Sequence, residues 1–130
     1  MSESGALSGL VILVVEDHDD FRETLRAFLF QAGAKVETAA NGFEALDLLE
    51  TGIRPDVIVS DIHMPRMDGC ELVTVLRRGS FARVPVIALT GQASDVAILR
   101  TLEAGFDAHL VKPVSGDVLT SQVLRVLGRV

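Results

Sequence analysis

The sequence predicts an α/β fold: one domain built on a five-stranded parallel sheet flanked by five helices. Three observations predict it. Short apolar runs alternate with amphipathic stretches along the chain, strand then helix, five times over. The central runs are nearly all apolar instead of alternating, as in strands covered on both faces. Finally, 130 residues at 48% hydrophobic content and a mean hydropathy of +0.38 suit a single core with apolar side chains on both sides of a sheet.

The elements follow in order. Residues 1–8 are small and polar and read as a frayed, flexible tail ahead of the domain. "LVILVV" (10–15) is the first strand. Over residues 20–32, Phe21, Leu25, Phe28 and Leu29 recur at i, i+4, i+7 and i+8, one face of a helix, and Gly33 stops it. "KVETA" (35–39) is the second strand, and "GFEALDLLE" (42–50) a helix closed by Gly52. "DVIVS" (56–60) is the third strand; the helix over 68–78 ends in "LRR" ahead of Gly79. "VPVIALT" (84–90), a helix over 94–104 closed by Gly105, "AHLV" (108–111) and a helix over 116–127 complete the chain.

Composition narrows the function classes. The formal charge of −6 and a pI near 4.9 argue against direct nucleic-acid binding. No apolar run is long enough to span a membrane, and "MSESGALSGL" lacks the basic-then-apolar order of a secretory signal, so a cytoplasmic protein is expected. The one cysteine, Cys70, cannot form an intrachain disulfide and reads as a half-buried helix residue in a reducing compartment.

In an open parallel sheet, right-handed crossovers and a reversal of winding leave a crevice at the carboxyl ends of the strands, beside the first, and ligands bind there. Glu16 and Asp17 follow the first strand, Asp61 the third, Thr90 then Gly91 the fourth, and Lys112 then Pro113 the fifth. The topology therefore gathers three carboxylates, a hydroxyl and an ammonium. Three carboxylates so close cannot all stay ionised cheaply, so a proton or a cation must join them. Mg²⁺ answers this with oxygen ligands and retained waters, and it can bridge a phosphoryl group that Lys112 and Thr90 grip from the other side. A carboxylate on the central strand is a competent nucleophile for phosphoryl transfer, which makes Asp61 the best candidate. His18 reads as a surface residue, because a hard ion prefers oxygen. Asp19 and Asp20 read as acids favoured at a helix N-terminus.

Together, "VVED" (Glu16, Asp17), "SDIHMPRMDG" (around Asp61), "ALTG" (Thr90, Gly91) and "VKP" (Lys112, Pro113) resemble the receiver domain of bacterial two-component response regulators, over residues 9–128. The resemblance implies the flavodoxin-like, doubly wound strand order 2-1-3-4-5. It implies that Asp61 accepts a phosphoryl group from a phosphohistidine on a sensor histidine kinase or histidine phosphotransfer protein. Glu16, Asp17, Asp61 and the main-chain oxygen of His63 would hold Mg²⁺, with Mn²⁺ a possible substitute. Thr90 and Lys112 would engage the phosphoryl group, and the Lys112–Pro113 peptide would be cis, which an X–Pro bond tolerates. The surface of the fourth helix, fifth strand and fifth helix would carry the output, to a downstream protein, to the chain's own output domain or to a second copy on phosphorylation. The family is a signalling phosphoacceptor that promotes its own phosphorylation and dephosphorylation, not an enzyme of metabolism; a hybrid parent chain would be a histidine kinase.

Two positions tune this picture. His63 lies two residues after Asp61, towards the entry of the attacking water. His109 stands three residues before Lys112, where the family often has Tyr or Phe as a switch, and histidine brings sensitivity near pH 6.5. Other classes fit less well. A haloacid-dehalogenase-type phosphohydrolase carries its nucleophile on the first strand, with a second acid two residues on. An FMN carrier needs a hydroxyl-rich phosphate loop where this chain has four acids. A receiver reduced to a structural module would lack Asp61, Lys112 or one acid.

Overall fold

A computed structural model describes residues 5–91 and 94–129. Five strands, β1 (Val11–Val15), β2 (Lys35–Ala39), β3 (Val57–Asp61), β4 (Val86–Thr90) and β5 (Ala108–Val111), alternate with α1 (Asp19–Gln31), α2 (Gly42–Glu50), α3 (Gly69–Arg77), α4 (Asp95–Ala104) and α5 (Gly116–Val126). All strand pairs are parallel and the order is β2-β1-β3-β4-β5. Each expected element is present, with ends shifted by no more than two residues, within the fraying that helix and strand ends show.

Period-two alternation splits the apolar strands between two cores. Ile12, Val14, Val57, Val59, Ile87 and Leu89 pack with Leu25 and Leu29 of α1 and Leu119 and Val123 of α5. Leu13, Val15, Ile58, Val86 and Ala88 pack with Ala45 and Leu49 of α2 and Leu72, Val73 and Leu76 of α3. Both faces being covered is the physical reason that β3 and β4 are buried at every position.

Helix starts follow their side chains. Asn41, Ser94 and Ser115 each accept from a backbone N–H three residues on, and Asp68 and Glu71 form a reciprocal capping box at α3. Asp19 and Asp20 occupy the first turn of α1, where the helix dipole favours acids. Gly105 closes α4 with φ of 116°, a conformation that favours glycine.

The frayed tail expected over residues 1–8 does not hold for residues 5–8. Residues 1–4 lie outside the described residues, but 5–8 form a turn, and Leu7 is fully buried beside Leu10, Leu29 and Ala34. Its N–H donates to Ala32 O at 2.9 Å. One leucine in a small polar segment leaves no periodic signal; only the hollow at the end of α1 gives it a place.

The helix α4 departs from the other helices. Among its described side chains the buried one is Thr101, whose hydroxyl donates to Ile98 O, while Val96, Leu99 and Leu102 are 70%, 56% and 50% exposed. It turns an apolar stripe to solvent.

Candidate functional site

The sheet register aligns the strand ends. Glu16 N–H donates to Ala39 O just past β1, Asp61 pairs with Leu89, and Lys112 N–H donates to Thr90 O at 2.7 Å just past β5. Three strand ends, those of β1, β3 and β5, therefore deliver Glu16, Asp61 and Lys112 to one place. Lys112 Nζ lies 3.2 Å from Glu16 Oε1 and 3.3 Å from Asp61 Oδ1. One ligand atom from each of Glu16, Asp17, His18 and Asp61 falls within 4.8 Å of the others.

Burial makes this grouping costly. The Glu16 side chain has no exposure, and Asp61 has 5%. Desolvation raises the Asp61 pKa above the ordinary carboxylate value, and the Glu16 charge raises it further; Lys112 and the Ile62 N–H, which donates to Asp61 Oδ1 at 2.9 Å, pull the other way. Three carboxylates face one ammonium. Asp17 Oδ1 is buried and accepts no hydrogen bond, an orphaned acceptor of the kind a cation satisfies. The donor set is carboxylate oxygen, which suits a hard divalent ion such as magnesium.

The backbone around Asp61 is built for close approach. A Cβ on Gly69 would sit 2.4 Å from Asp61 O, so the first residue of α3 has to be glycine for its N–H to reach Ile62 O at 2.8 Å. Arg66, in the loop between, takes φ of 72°, left-handed without being glycine. The Lys112–Pro113 peptide is cis.

The remaining site residues separate by position. Thr90 is buried, and with His63 and Cys70 it lines a crevice of about 20 Å³ between β4, α3 and α4. His63 is exposed on the loop after Asp61, and Gly91 is exposed at the start of the loop to α4. His109 is not in the cleft with Lys112. It pairs with Ala88, two rungs below Thr90, and lines a separate cleft with Asp107, just before β5, and Gln122 and Arg125 of α5. Its Nε2 is buried without a hydrogen-bond partner, and burial lowers its pKa below the usual imidazole value.

Sequence reasoning missed the roles of two side chains, Phe21 and Arg22, while its reading of His18 as a surface residue holds. Phe21 of α1 places its ring 4.9 Å from Lys112 Nζ, a cation–π wall beside the two carboxylates; as part of the helix's apolar periodicity it reads only as core. Arg22 donates from Nη1 to Glu16 O at 2.9 Å and from Nη2 to Asp19 Oδ1 at 2.6 Å, tying the β1–α1 loop to its helix. The i, i+3 spacing of Asp19 and Arg22 signals that pair but not the reach back to Glu16. His18 sits with its ring 75% exposed and Nδ1 3.2 Å from Glu16 Oε2.

A doubly wound parallel sheet with an acidic, lysine-bearing cleft at its switch point defines an α/β domain with a ligand-binding crevice. The chain belongs to the response regulator receiver domain family, whose model matches residues 12–124. It is 40% identical over 118 residues to the transcriptional regulatory protein AfsQ1 of Streptomyces coelicolor, covering 91% of this chain and 51% of that protein. The chain thus spans about half the length of that relative. The chemotaxis response regulator CheY4 of Vibrio cholerae matches with a TM-score of 0.85 and 36% identity, covering 90% of this chain and 98% of that one. The receiver domain of the sensor histidine kinase PA1611 from Pseudomonas aeruginosa PAO1, solved with a magnesium ion coordinated in its active site cleft, matches with a TM-score of 0.85 and 32% identity over 93% of this chain and 99% of that one.

Proposed function

We propose that residues 9–128 form a phosphoacceptor domain in which Asp61 takes a phosphoryl group from a phosphohistidine of a sensor histidine kinase or histidine phosphotransfer protein. The observation that carries this reading is Lys112 Nζ at 3.2 Å from Glu16 and 3.3 Å from Asp61, three strand ends meeting in one buried cleft. A carboxylate oxygen of Asp61 forms the new O–P bond as the P–N bond of the donor breaks; the departing imidazole nitrogen keeps the electron pair and takes a proton from solvent. Lys112 balances charge on the transferred group, and the Thr90 hydroxyl donates to it.

Glu16, Asp17, Asp61 and the main-chain oxygen of His63 are the residues that would hold Mg²⁺ or Mn²⁺. When bound, the ion neutralises charge shared by the acids and the phosphoryl oxygens. The protein's own part is to keep the three carboxylates together and the ammonium aimed at Asp61. His63 flanks the approach of water and sets the lifetime of the aspartyl-phosphate, so the domain promotes its own phosphorylation and dephosphorylation and turns over no metabolite.

Phosphorylation draws Thr90 and Lys112 towards the new dianion and changes the surface of α4, β5 and α5. Gly91 allows the loop after Thr90 to follow. The partner on that surface is an output domain, a downstream protein or a second copy of the chain. The exposed Val96, Leu99, Leu102, Val111 and Val118 support this, since they leave large apolar side chains in solvent on those three elements. Direct nucleic-acid contact is not part of the reading, and no helix among the described residues is long and apolar enough to cross a membrane. The site of action is the cytoplasm, where the donor kinases present their phosphohistidine.

The experiment is labelling by acetyl phosphate with and without Mg²⁺. One phosphoryl group per chain is expected, Mg²⁺-dependent, and absent in Asp61→Asn with the fold intact by circular dichroism. Label that persists on another residue of that variant would refute the site.

A further inference from the structure

His18 turns a nitrogen donor towards an otherwise all-oxygen cleft. Its Nδ1 lies 3.2 Å from Glu16 Oε2 and 3.5 Å from Asp17 Oδ1, and its backbone N–H donates to the same Glu16 oxygen at 3.1 Å. The ligand atoms of Glu16, Asp17, His18 and Asp61 all fall within 4.8 Å of one another. That is close to the roughly 4 Å between donors on opposite sides of one ion with bonds of about 2.0–2.2 Å. Asp17 Oδ1, which accepts no hydrogen bond, has the His18 Nδ1 as its neighbour.

We infer that His18 is a nitrogen ligand that lets this cleft take borderline divalent ions, Zn²⁺, Co²⁺, Ni²⁺ or Cu²⁺, in competition with magnesium. The inference rests on the reading of the cleft as a metal site and adds a residue that sets which metal fills it. Magnesium gains little from imidazole, because it is hard and gives up its waters reluctantly. Borderline ions gain a good ligand, since imidazole suits zinc, copper and nickel while carboxylate suits magnesium. Without an ion, the ring hydrogen-bonds Glu16. To offer the Nδ1 lone pair to an ion, the ring would give up to solvent the Nδ1 proton that bonds Glu16 and carry its one remaining proton on Nε2. Three-quarters of the side chain is exposed, which leaves the ring room to turn.

The test needs no phosphoryl donor. The metal-free chain is titrated with Zn²⁺ and with Mg²⁺ by calorimetry, as wild type, His18→Ala and His63→Ala. The Cu²⁺-loaded forms are read by pulsed electron paramagnetic resonance for a directly bound imidazole nitrogen. His18→Ala is expected to weaken Zn²⁺ binding by at least about tenfold, the lower end of what losing a supporting group costs at a metal site, and to leave Mg²⁺ affinity within about twofold. It should also erase the nitrogen coupling, while His63→Ala should do neither. Wild-type Zn²⁺ affinity in His18→Ala overturns the inference, and so does nitrogen coupling that survives in His18→Ala and disappears in His63→Ala. Failure of the phosphoacceptor reading would show separately, as missing Mg²⁺-dependent label on Asp61 with these titrations unchanged.

Discussion

Two cations stand at opposite ends of the same sheet and face opposite electrostatic conditions. Arg77, at the end of α3, sits where β4 begins and α4 hands over to β5. Its Nε and Nη2 donate to Gly105 O at 3.0 and 2.8 Å, and its Nη1 donates to Val84 O at 2.7 Å and Ala82 O at 3.1 Å. Nη2 also pairs with Asp107 Oδ2 at 2.7 Å, and the same oxygen accepts the Val86 N–H. Charge and hydrogen-bonding capacity are matched there. At the carboxyl ends, Lys112 pairs with Glu16 and Asp61, and the neighbouring Asp17 Oδ1 accepts no hydrogen bond. Residues of the same kinds make a closed structural clamp at one end and an open binding site at the other. The difference lies in what is left unsatisfied: a complete network holds position, and an incomplete one waits for a ligand.

If the clamp is structural, breaking it should cost the most stability. Arg77→Met leaves three carbonyls and Asp107 without their charged donor. It should destabilise the fold by roughly 2–3 kcal/mol, at the upper range for hydrogen bonds to charged groups, and lower Tm by about 10 °C. Mg²⁺ affinity in the folded protein should stay unchanged; a melt close to wild type would erase the contrast between the two ends.

The opposite sign is expected at the cleft. The raised Asp61 pKa means that the folded state holds its proton more tightly than the unfolded state does. The stability this contributes is present below the ordinary carboxylate pKa and is lost as pH rises through the raised value, so at neutral pH the charge is a cost. Asp61→Asn should therefore raise the metal-free Tm, by about 4 °C if it relieves about 1 kcal/mol. Lys112 keeps Glu16 as a partner in that variant. A lower Tm would mean that the three acids do not repel one another.

Smaller effects sharpen the comparison. Phe21 gives Lys112 an aromatic wall that Arg77 has no need of. Phe21→Leu should slow acetyl-phosphate labelling about two- to fivefold, the worth of a partly exposed cation–π contact. Phe21→Tyr should restore the rate, whereas a structural defect would instead appear in the melt of both variants.

The smallest expected effect is at His109. Burial lowers its pKa, so as pH falls below the usual imidazole value the unfolded state takes the proton first and stability drops. Between about pH 7 and about pH 5, wild type should lose Tm more steeply than His109→Phe. Asp61 contributes the reverse slope in both proteins and cancels in the difference. Asp107, held by Arg77, and Arg125 line the same cleft as His109 and are unchanged by the substitution.

Much of this molecule is legible in its sequence because its signals are local. Apolar runs such as Val57–Val59 mark doubly covered strands, and glycines 33, 52 and 105 mark helix ends, since 3.6- and 2-residue periods and left-handed turns are properties of short segments. Carboxylates and a lysine at strand ends mark the crevice once a parallel sheet is assumed. Other features depend on contacts between distant segments. The burial of Leu7 depends on the end of α1, and the need for glycine at 69 depends on where Asp61 O lies. Phe21 and Lys112 are 91 positions apart, and no spacing rule reaches that far.

The sequence by itself determined which elements form, in what order, and which side chains could carry charge and chemistry, because backbone preference and side-chain polarity act within a few residues. Only the tertiary structure decided that Lys112 meets Glu16 and Asp61 while His109 stays out of their cleft, that Arg77 is saturated, and that the His18 ring leans on the acids. These outcomes follow from distances through space, and electrostatic and hydrogen-bond energies depend on those distances and on burial, not on separation along the chain.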